Sequence, residues 1–247
     1  MRAVGVIPAR WAATRLPGKV LVDICGKPMV QHVWEKAKAC RSLTDVIIAC
    51  DEPQVLERCR GFGARAILTD KNHPSGTDRV AEAVRDVEAD IVVNIQSDEP
   101  LIDPKLIDAL VDALAADKDS VVATPIKRID NETEYQDPNV VKVVADKDGH
   151  ALYFSRAPIP LRRGDKAVDL SRYFKHLGIY AFRRDFLFVF CRLPKSFLEQ
   201  EEKLEQLRIL EAGFKIKCVV TTSDSIGVDT QADVVKVINF LKGRISP

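Results

Sequence analysis

Residues 3–19 read AVGVIPARWAATRLPGK, a run of small and β-branched apolar residues that gives way to a cationic loop after Pro8. The run is continuous rather than alternating, as expected of a strand buried on both faces in a parallel sheet. Ligands of such sheets bind beyond the carboxyl ends of the strands, so this loop is the first place to look for chemistry. Arg10, Arg15 and Lys19 lie there at intervals of five and four residues, beside Pro17 and Gly18. Arginine grips phosphate oxygens in pairs and lysine adds a compact charge, a combination suited to a polyphosphate. The plainer alternative is a solvated basic loop. A P-loop is excluded, because Val20 and Pro28 follow the two Gly-Lys pairs where Ser or Thr is required.

Outward from this stretch, 46–50, 66–68, 91–95 and 121–124 repeat the apolar run, and 29–40, 54–62, 77–87 and 105–116 carry helical periodicity between them. In the last of these, Leu106, Ile107, Leu110, Val111 and Leu114 share one face, with Asp103 as cap and Pro104 at the first helical position. Alternating strands and helices predict a doubly wound α/β half. From about Lys127 the rhythm changes: strands at 140–144, 151–154 and 178–182 have no long helix between them, and Asp146 to Gly149 reads as a hairpin turn. A mixed or antiparallel extension is expected there, a lobe for self-association around 127–177, with 162–172 an exposed basic loop. Helices at 185–191, 203–212 and 233–241 and a strand at 215–221 complete the chain.

The 247 residues carry 37 Lys plus Arg against 36 Asp plus Glu, a net charge of +1. That balance argues against a general nucleic-acid binder. Hydrophobic residues at 46% and charged residues at 30% are ordinary for a globular chain and exclude wholesale disorder. No stretch approaches the ~20 apolar residues of a membrane span, and the apolar part of the N-terminus is too short for a secretion signal. The six cysteines are scattered with no C-x-x-C pair, as small hydrophobes in a reducing compartment would be. The expectation is a soluble, cytoplasmic, single-domain protein over 1–247.

Other motifs fall where strands should end. His73-Pro74-Ser75-Gly76-Thr77-Asp78-Arg79 opens a helix, and its backbone N–H groups and hydroxyls suit a carbonyl or phosphate, with Arg79 projecting from the first turn. A plain N-cap is the alternative. Asn94-Ile95-Gln96-Ser97-Asp98-Glu99-Pro100 ends a very apolar strand. Acidic groups there are costly unless a cation meets them, so Asp98 is either a magnesium ligand or part of a capping turn. Asp229, in Gly227-Val228-Asp229-Thr230, is either an N-cap or the second ligand of such a site. Arg156 suits a carboxylate, and His176, Glu205 and Gln206 suit hydroxyls. The four histidines show no zinc spacing and there is no G-x-S-x-G elbow, so metalloprotease and serine-hydrolase readings fall away.

Together PARWAATRLPGK, NHPSGTDR, QSDEP, SRAPIP, HLGIYAF, LEQLR and GVDT, in this order from Val4 to about Thr230, closely resemble the 3-deoxy-manno-octulosonate cytidylyltransferase (CMP-Kdo synthetase) family. The resemblance implies an α/β, Rossmann-like nucleotidyltransferase fold of the nucleotide-diphospho-sugar transferase type, with a mixed sheet and a small dimerisation lobe. It implies transfer of CMP from CTP to the anomeric hydroxyl of Kdo for lipopolysaccharide synthesis, with magnesium as cofactor and a homodimer as the assembly. By matched position, Ala9, Arg10, Arg15, Lys19, Ser75, Gly76 and Arg79 surround the nucleotide. Asp98 and Asp229 hold the metal and, with Lys19, form the catalytic set. Gln96, Arg156, His176, Tyr180, Glu205 and Gln206 form the sugar-acid pocket. An amino-substituted Kdo, another acidic sugar such as a sialic acid, or CTP binding without turnover are the rival readings. Two positions depart from the pattern: Ala13 stands for the usual Ser, and Ser97 for the Gly of Q-G-D-E-P. If that glycine serves positive φ or close backbone approach, Ser97 crowds the site or shifts Asp98.

Overall fold

The computed structural model describes residues 1–12, 16–163, 169–224 and 226–243. Ala13 and Arg15 of the cationic loop, and 164–168 of the basic segment, lie outside the described residues. The chain divides into two compact units, Met1–Asp108 with Asp224–Pro247, and Ala109–Ser223. The expected lobe at 127–177 falls within the second unit. Among the described residues no helix is long and apolar enough to cross a membrane.

The first unit is built on β1 (Ala3–Ala9), β2 (Asp23–Ile24), β3 (Lys27–Pro28), β4 (Leu43–Cys50), β5 (Arg65–Leu68) and β6 (Ile91–Asn94). Strands β5, β4, β1 and β6 neighbour one another in that order and are all parallel, with Val6 opposite Ile47 on one side and Asn94 on the other. Every residue of β1 is buried, which is why it lacks strand alternation. Helices α1 (Met29–Lys38), α2 (Pro53–Gly61) and α3 (Gly76–Ala83) cross between the strands. The antiparallel pair β2–β3 turns at Cys25 and Gly26, both at positive φ. Ile24 and Met29 pack with Val228, Val234 and Val237 in one buried cluster, which draws the closing helix, Gln231–Leu241, onto the start of the chain. Each unpaired apolar stripe thereby leaves water.

Helix α4 (Pro104–Ala116) leads from the first unit into the second. Asp103 caps it, accepting from the Lys105 N–H at 3.0 Å, and the five apolar residues expected on one face are all buried. The second unit holds β7 (Ser120–Arg128), α5 (Glu132–Gln136), β8 (Lys142–Ala145), β9 (Ala151–Ser155), β10 (Phe174–His176), β11 (Tyr180–Arg183), α6 (Arg184–Phe190), α7 (Phe197–Glu202), α8 (Leu207–Glu211) and β12 (Lys215–Thr221). Its sheet is mixed: β12 is parallel to β7, while β10 and β11 are antiparallel to it and β8–β9 is a hairpin. The turn at Asp146 to Gly149 is as expected, with Gly149 at φ 77° and its N–H bonded to the Asp146 carbonyl at 3.1 Å.

The helix expected at 203–212 is the shorter α8, and α7 precedes it where no helix was expected. Ser196 and Glu199 form a reciprocal capping box that starts α7 early, and Lys203 takes a left-handed φ of 54° that ends it. Short α5 and β10 carry too few periods to be legible in the sequence. All six cysteines are free thiols, and burial holds Cys40, Cys59 and Cys218 up to about 12.

Candidate active site

A cavity of about 320 Å³ opens in the first unit, lined by Pro8, Arg10, Ala12, Leu16, Lys19, Val20, Gly76, Gln96, Ser97, Asp98 and Asp229. It lies at the carboxyl ends of β1 and β6, where a parallel sheet leaves room for a ligand. Three segments distant in sequence supply its charges, and the fold explains how they meet. Val228 is buried in the cluster beside β2, and its N–H donates to the Asp98 carbonyl at 2.8 Å. That one backbone bond sets the acidic turn after β6 beside the acidic residue before the closing helix.

Lys19 lies between the two carboxylates. Its Nζ donates to Asp98 Oδ2 at 2.7 Å, to Asp229 Oδ1 at 3.0 Å and to the Val228 carbonyl at 3.3 Å. Burial works against the Lys19 charge, but bonds and attraction from Asp98 and Asp229 outweigh it and raise its pKa. Asp229 is not the helix cap: Thr230 accepts the Asp233 N–H and Asp233 reaches back, a capping box made without the Asp229 carboxylate. Asp98 likewise caps nothing that starts α4, which Asp103 serves.

The donor set suits a hard cation. Both carboxylates are part-exposed, at 31% and 46%, and both already meet one cationic group, the Lys19 ammonium. Among the described residues no group of three or more His, Cys, Asp or Glu gathers. Two carboxylates with open positions left for water and phosphate oxygens is the pattern magnesium prefers, and it is unlike a closed protein cage.

Arg10 Nη2 donates to the His73 carbonyl at 2.8 Å, while its Nε is buried with no partner. Ala9 is buried at the end of β1. Ser75 caps α3, accepting the Asp78 N–H at 3.1 Å and donating to the Asp78 carboxylate at 2.7 Å, while Gly76 lines the cavity. Arg79 does not project from its turn. Its side chain is fully buried, with Nη1 on the Thr69 hydroxyl at 2.5 Å and Nη2 on Asp51 at 3.3 Å. Burial pulls its pKa below the ordinary range, against the pull of Asp51. Arg15 lies outside the described residues.

Of the residues expected to hold a sugar acid, Gln96 lines this cavity. The other five belong to the second unit. There His176 and Tyr180 are half-buried with rings 5.4 Å apart, and Thr124 meets His176 Nε2 at 2.8 Å. Burial drives the His176 pKa down to about 3 and that of Tyr180 up. Gln206 precedes α8 with its Nε2 buried and unpartnered, and Glu205 lies 4.0 Å from Arg208. The Arg156 guanidinium donates to the main-chain carbonyls of Glu202 at 2.8 Å and Pro138 at 3.0 Å. Sequence reasoning gave no role to Trp11, which sits within PARWAATRLPGK, or to Asp51, which belongs to no motif, yet both shape the cationic loop.

A family model described as cytidylyltransferase matches residues 4–216. A 3-deoxy-manno-octulosonate cytidylyltransferase of Geotalea daltonii is 47% identical, covering 99% of this chain and all of that one. One of Solibacter usitatus is 50% identical, covering 99% and 96%. Among solved structures, a CMP:2-keto-3-deoxy-manno-octonic acid synthetase complexed with CTP superposes with a TM-score of 0.93 at 44% identity, covering 99% of this chain and 100% of that one. A 4-diphosphocytidyl-2C-methyl-D-erythritol synthase from Anaerococcus prevotii shares the fold alone, with a TM-score of 0.66 at 11% identity over 98% of each chain.

Proposed function

The chain belongs to the cytidylyltransferase family, among the 3-deoxy-manno-octulosonate enzymes, and we propose on that footing how it transfers CMP from CTP to Kdo with release of pyrophosphate. The observation that carries the proposal is the cavity where Arg10 and Lys19 stand beside Asp98 and Asp229. Cations for a triphosphate and carboxylates for a counter-ion meet within one ligand-sized space.

Arg10, Arg15 and Lys19 bind the triphosphate and stabilise negative charge on the departing pyrophosphate. Ala9, Ser75 and Gly76 surround the nucleoside, and Arg79 acts from behind the loop. Asp98 and Asp229 would hold magnesium, which would supply polarisation of the phosphate under attack and a lowered pKa for the anomeric hydroxyl. On entry of nucleotide, Lys19 exchanges its carboxylate partners for phosphate oxygens. Gln96 in the cavity, and Arg156, His176, Tyr180, Glu205 and Gln206 in the second unit, recognise the sugar acid. A neutral imidazole at His176 is a hydroxyl partner rather than a carboxylate partner. The product feeds lipopolysaccharide synthesis in the cytoplasm, and the lobe at 127–177 joins two copies, a reading supported by Leu152 at 62% exposure on β9 and Leu161 at 87%.

The test is pyrophosphate release from CTP and magnesium with Kdo, its amino analogue and a sialic acid side by side. Release with Kdo is expected. Release with another acid alone would keep the chemistry and replace the sugar, and silence from protein that binds CTP would make it a non-catalytic binder. Asp98→Asn should lower turnover by roughly 10²-fold or more while circular dichroism is unchanged; turnover at the wild-type rate would remove Asp98 from the metal site.

A further inference from the structure

Asp51 is not among the residues lining the cavity, yet it ties the cationic loop to the body of the first unit. It follows β4 directly, with its side chain only 8% exposed. Each carboxylate oxygen takes one donor. Oδ1 accepts the backbone N–H of Trp11 at 2.8 Å, and Oδ2 accepts Arg79 Nη2 at 3.3 Å. Arg79 is itself fixed, because Nη1 donates to the Thr69 hydroxyl at 2.5 Å, and that hydroxyl donates to the Cys50 carbonyl at 2.9 Å.

On the other side of Asp51, Trp11 closes the loop on itself. Its carbonyl accepts the Gly18 N–H at 3.2 Å, and its indole lies so near Gly18 that a β-carbon there would stand 2.8 Å from Cη2. Arg10 immediately precedes Trp11 and Lys19 immediately follows Gly18, so this closure holds both cations at its two ends. A buried ion pair is a poor source of stability, and removing one partner is costly. Here the pair has a geometric use as well, since small misplacement of binding groups can cost 10²-fold in rate.

We infer that Asp51, held by Arg79, is a positioning residue that fixes Trp11 and so sets Arg10 and Lys19 for the triphosphate. The inference rests on the CTP reading of the cavity. Asp51→Asn is the informative change. An amide has one acceptor oxygen, so it must release either Trp11 or Arg79 and point an N–H at a donor.

Trp34→Phe leaves Trp11 as the sole tryptophan of the two in the chain, a local reporter of the loop. In that background, Asp51→Asn should weaken CTP binding by about tenfold or more in calorimetry. The KM for Kdo should stay within about twofold, a change of ~0.4 kcal/mol, and acrylamide should quench Trp11 more strongly in the CTP-free protein. Unchanged quenching, unchanged CTP affinity, or equal losses for CTP and Kdo would each overturn the inference. Should Asp51→Asn not fold, Trp11→Ala keeps the backbone N–H that Asp51 accepts but removes the indole packed against Gly18, through which the held Trp11 sets Lys19, and should show the same selective loss of CTP; wild-type affinity there overturns the inference equally. Starting protein that binds no CTP would overturn the functional reading and this inference together, whereas equal binding by parent and variant overturns the inference alone.

Discussion

Ser97 is buried beside Asp98 and lines the cavity where the family pattern carries glycine. Its backbone does not need glycine, because Cys25 and Lys203 are the only non-glycine residues at positive φ among the described residues. The strain that a positive φ would bring is therefore absent, and the Asp98 carbonyl and carboxylate both have partners. Ser97→Gly should bring no gain in kcat/KM in steady-state assays. It should cost about 0.4–1 kcal/mol in urea unfolding, because glycine widens the unfolded ensemble. Lys19 carries more: its ammonium is the group that both carboxylates share. Lys19→Met should lower kcat/KM for CTP by roughly 10²–10³-fold, the usual loss for one charge-stabilising donor, and a change below about tenfold in initial-rate assays would remove it from the triphosphate.

The element that decides the site is the loop from Arg10 to Lys19, whose conformation is closed by Gly18. That residue combines a φ of 66° with the contact against the Trp11 indole, so both conformation and space exclude a side chain. Gly18→Ala should destabilise the protein by about 1–3 kcal/mol in denaturant titration, as strained backbone does. Because Trp11 must move, CTP affinity should fall with it. Gly76 makes a useful contrast, since an added β-carbon there would meet Pro8 at an ordinary 3.6 Å. The cationic spacing of this loop was legible in the sequence. Its closure was not, because the partner Asp51 lies 40 residues on and belongs to no motif.

For the whole molecule, partly buried titratable groups set the acid limit. Desolvation holds His176 neutral, with a folded pKa of about 3 against 6.5. A depressed folded pKa contributes stability that is fully present above 6.5 and is lost as pH falls towards 3. Asp117 adds to this further down. Burial alone would raise its pKa, but bonds from His150, Ser120 and the local backbone bring it to about 2, so its contribution is present above 3.8 and fades towards 2. The Tm should therefore decline steadily as pH drops from about 6.5, the unperturbed histidine value. His176→Gln should flatten the upper part of that decline in calorimetric scans, and Asp117→Asn the lowest part. A Tm independent of pH in wild-type protein between those limits would contradict the burial of His176.

The sequence by itself determined the parallel α/β half, the hairpin at Asp146 to Gly149, the cationic loop and the acidic residues at 98 and 229. Those features are written in local period and residue chemistry, which survive without knowledge of neighbours. Tertiary structure alone decided the rest. It made Arg79 a buried strut instead of a projecting cation, because α3 packs against β1 and the guanidinium meets Asp51 and Thr69 there. It also gave the capping of the closing helix to Thr230 and Asp233 and left Asp229 to Lys19. A carboxylate before a helix has the same sequence whether it caps or binds, and the choice falls to whichever partner the packed core brings within hydrogen-bonding distance.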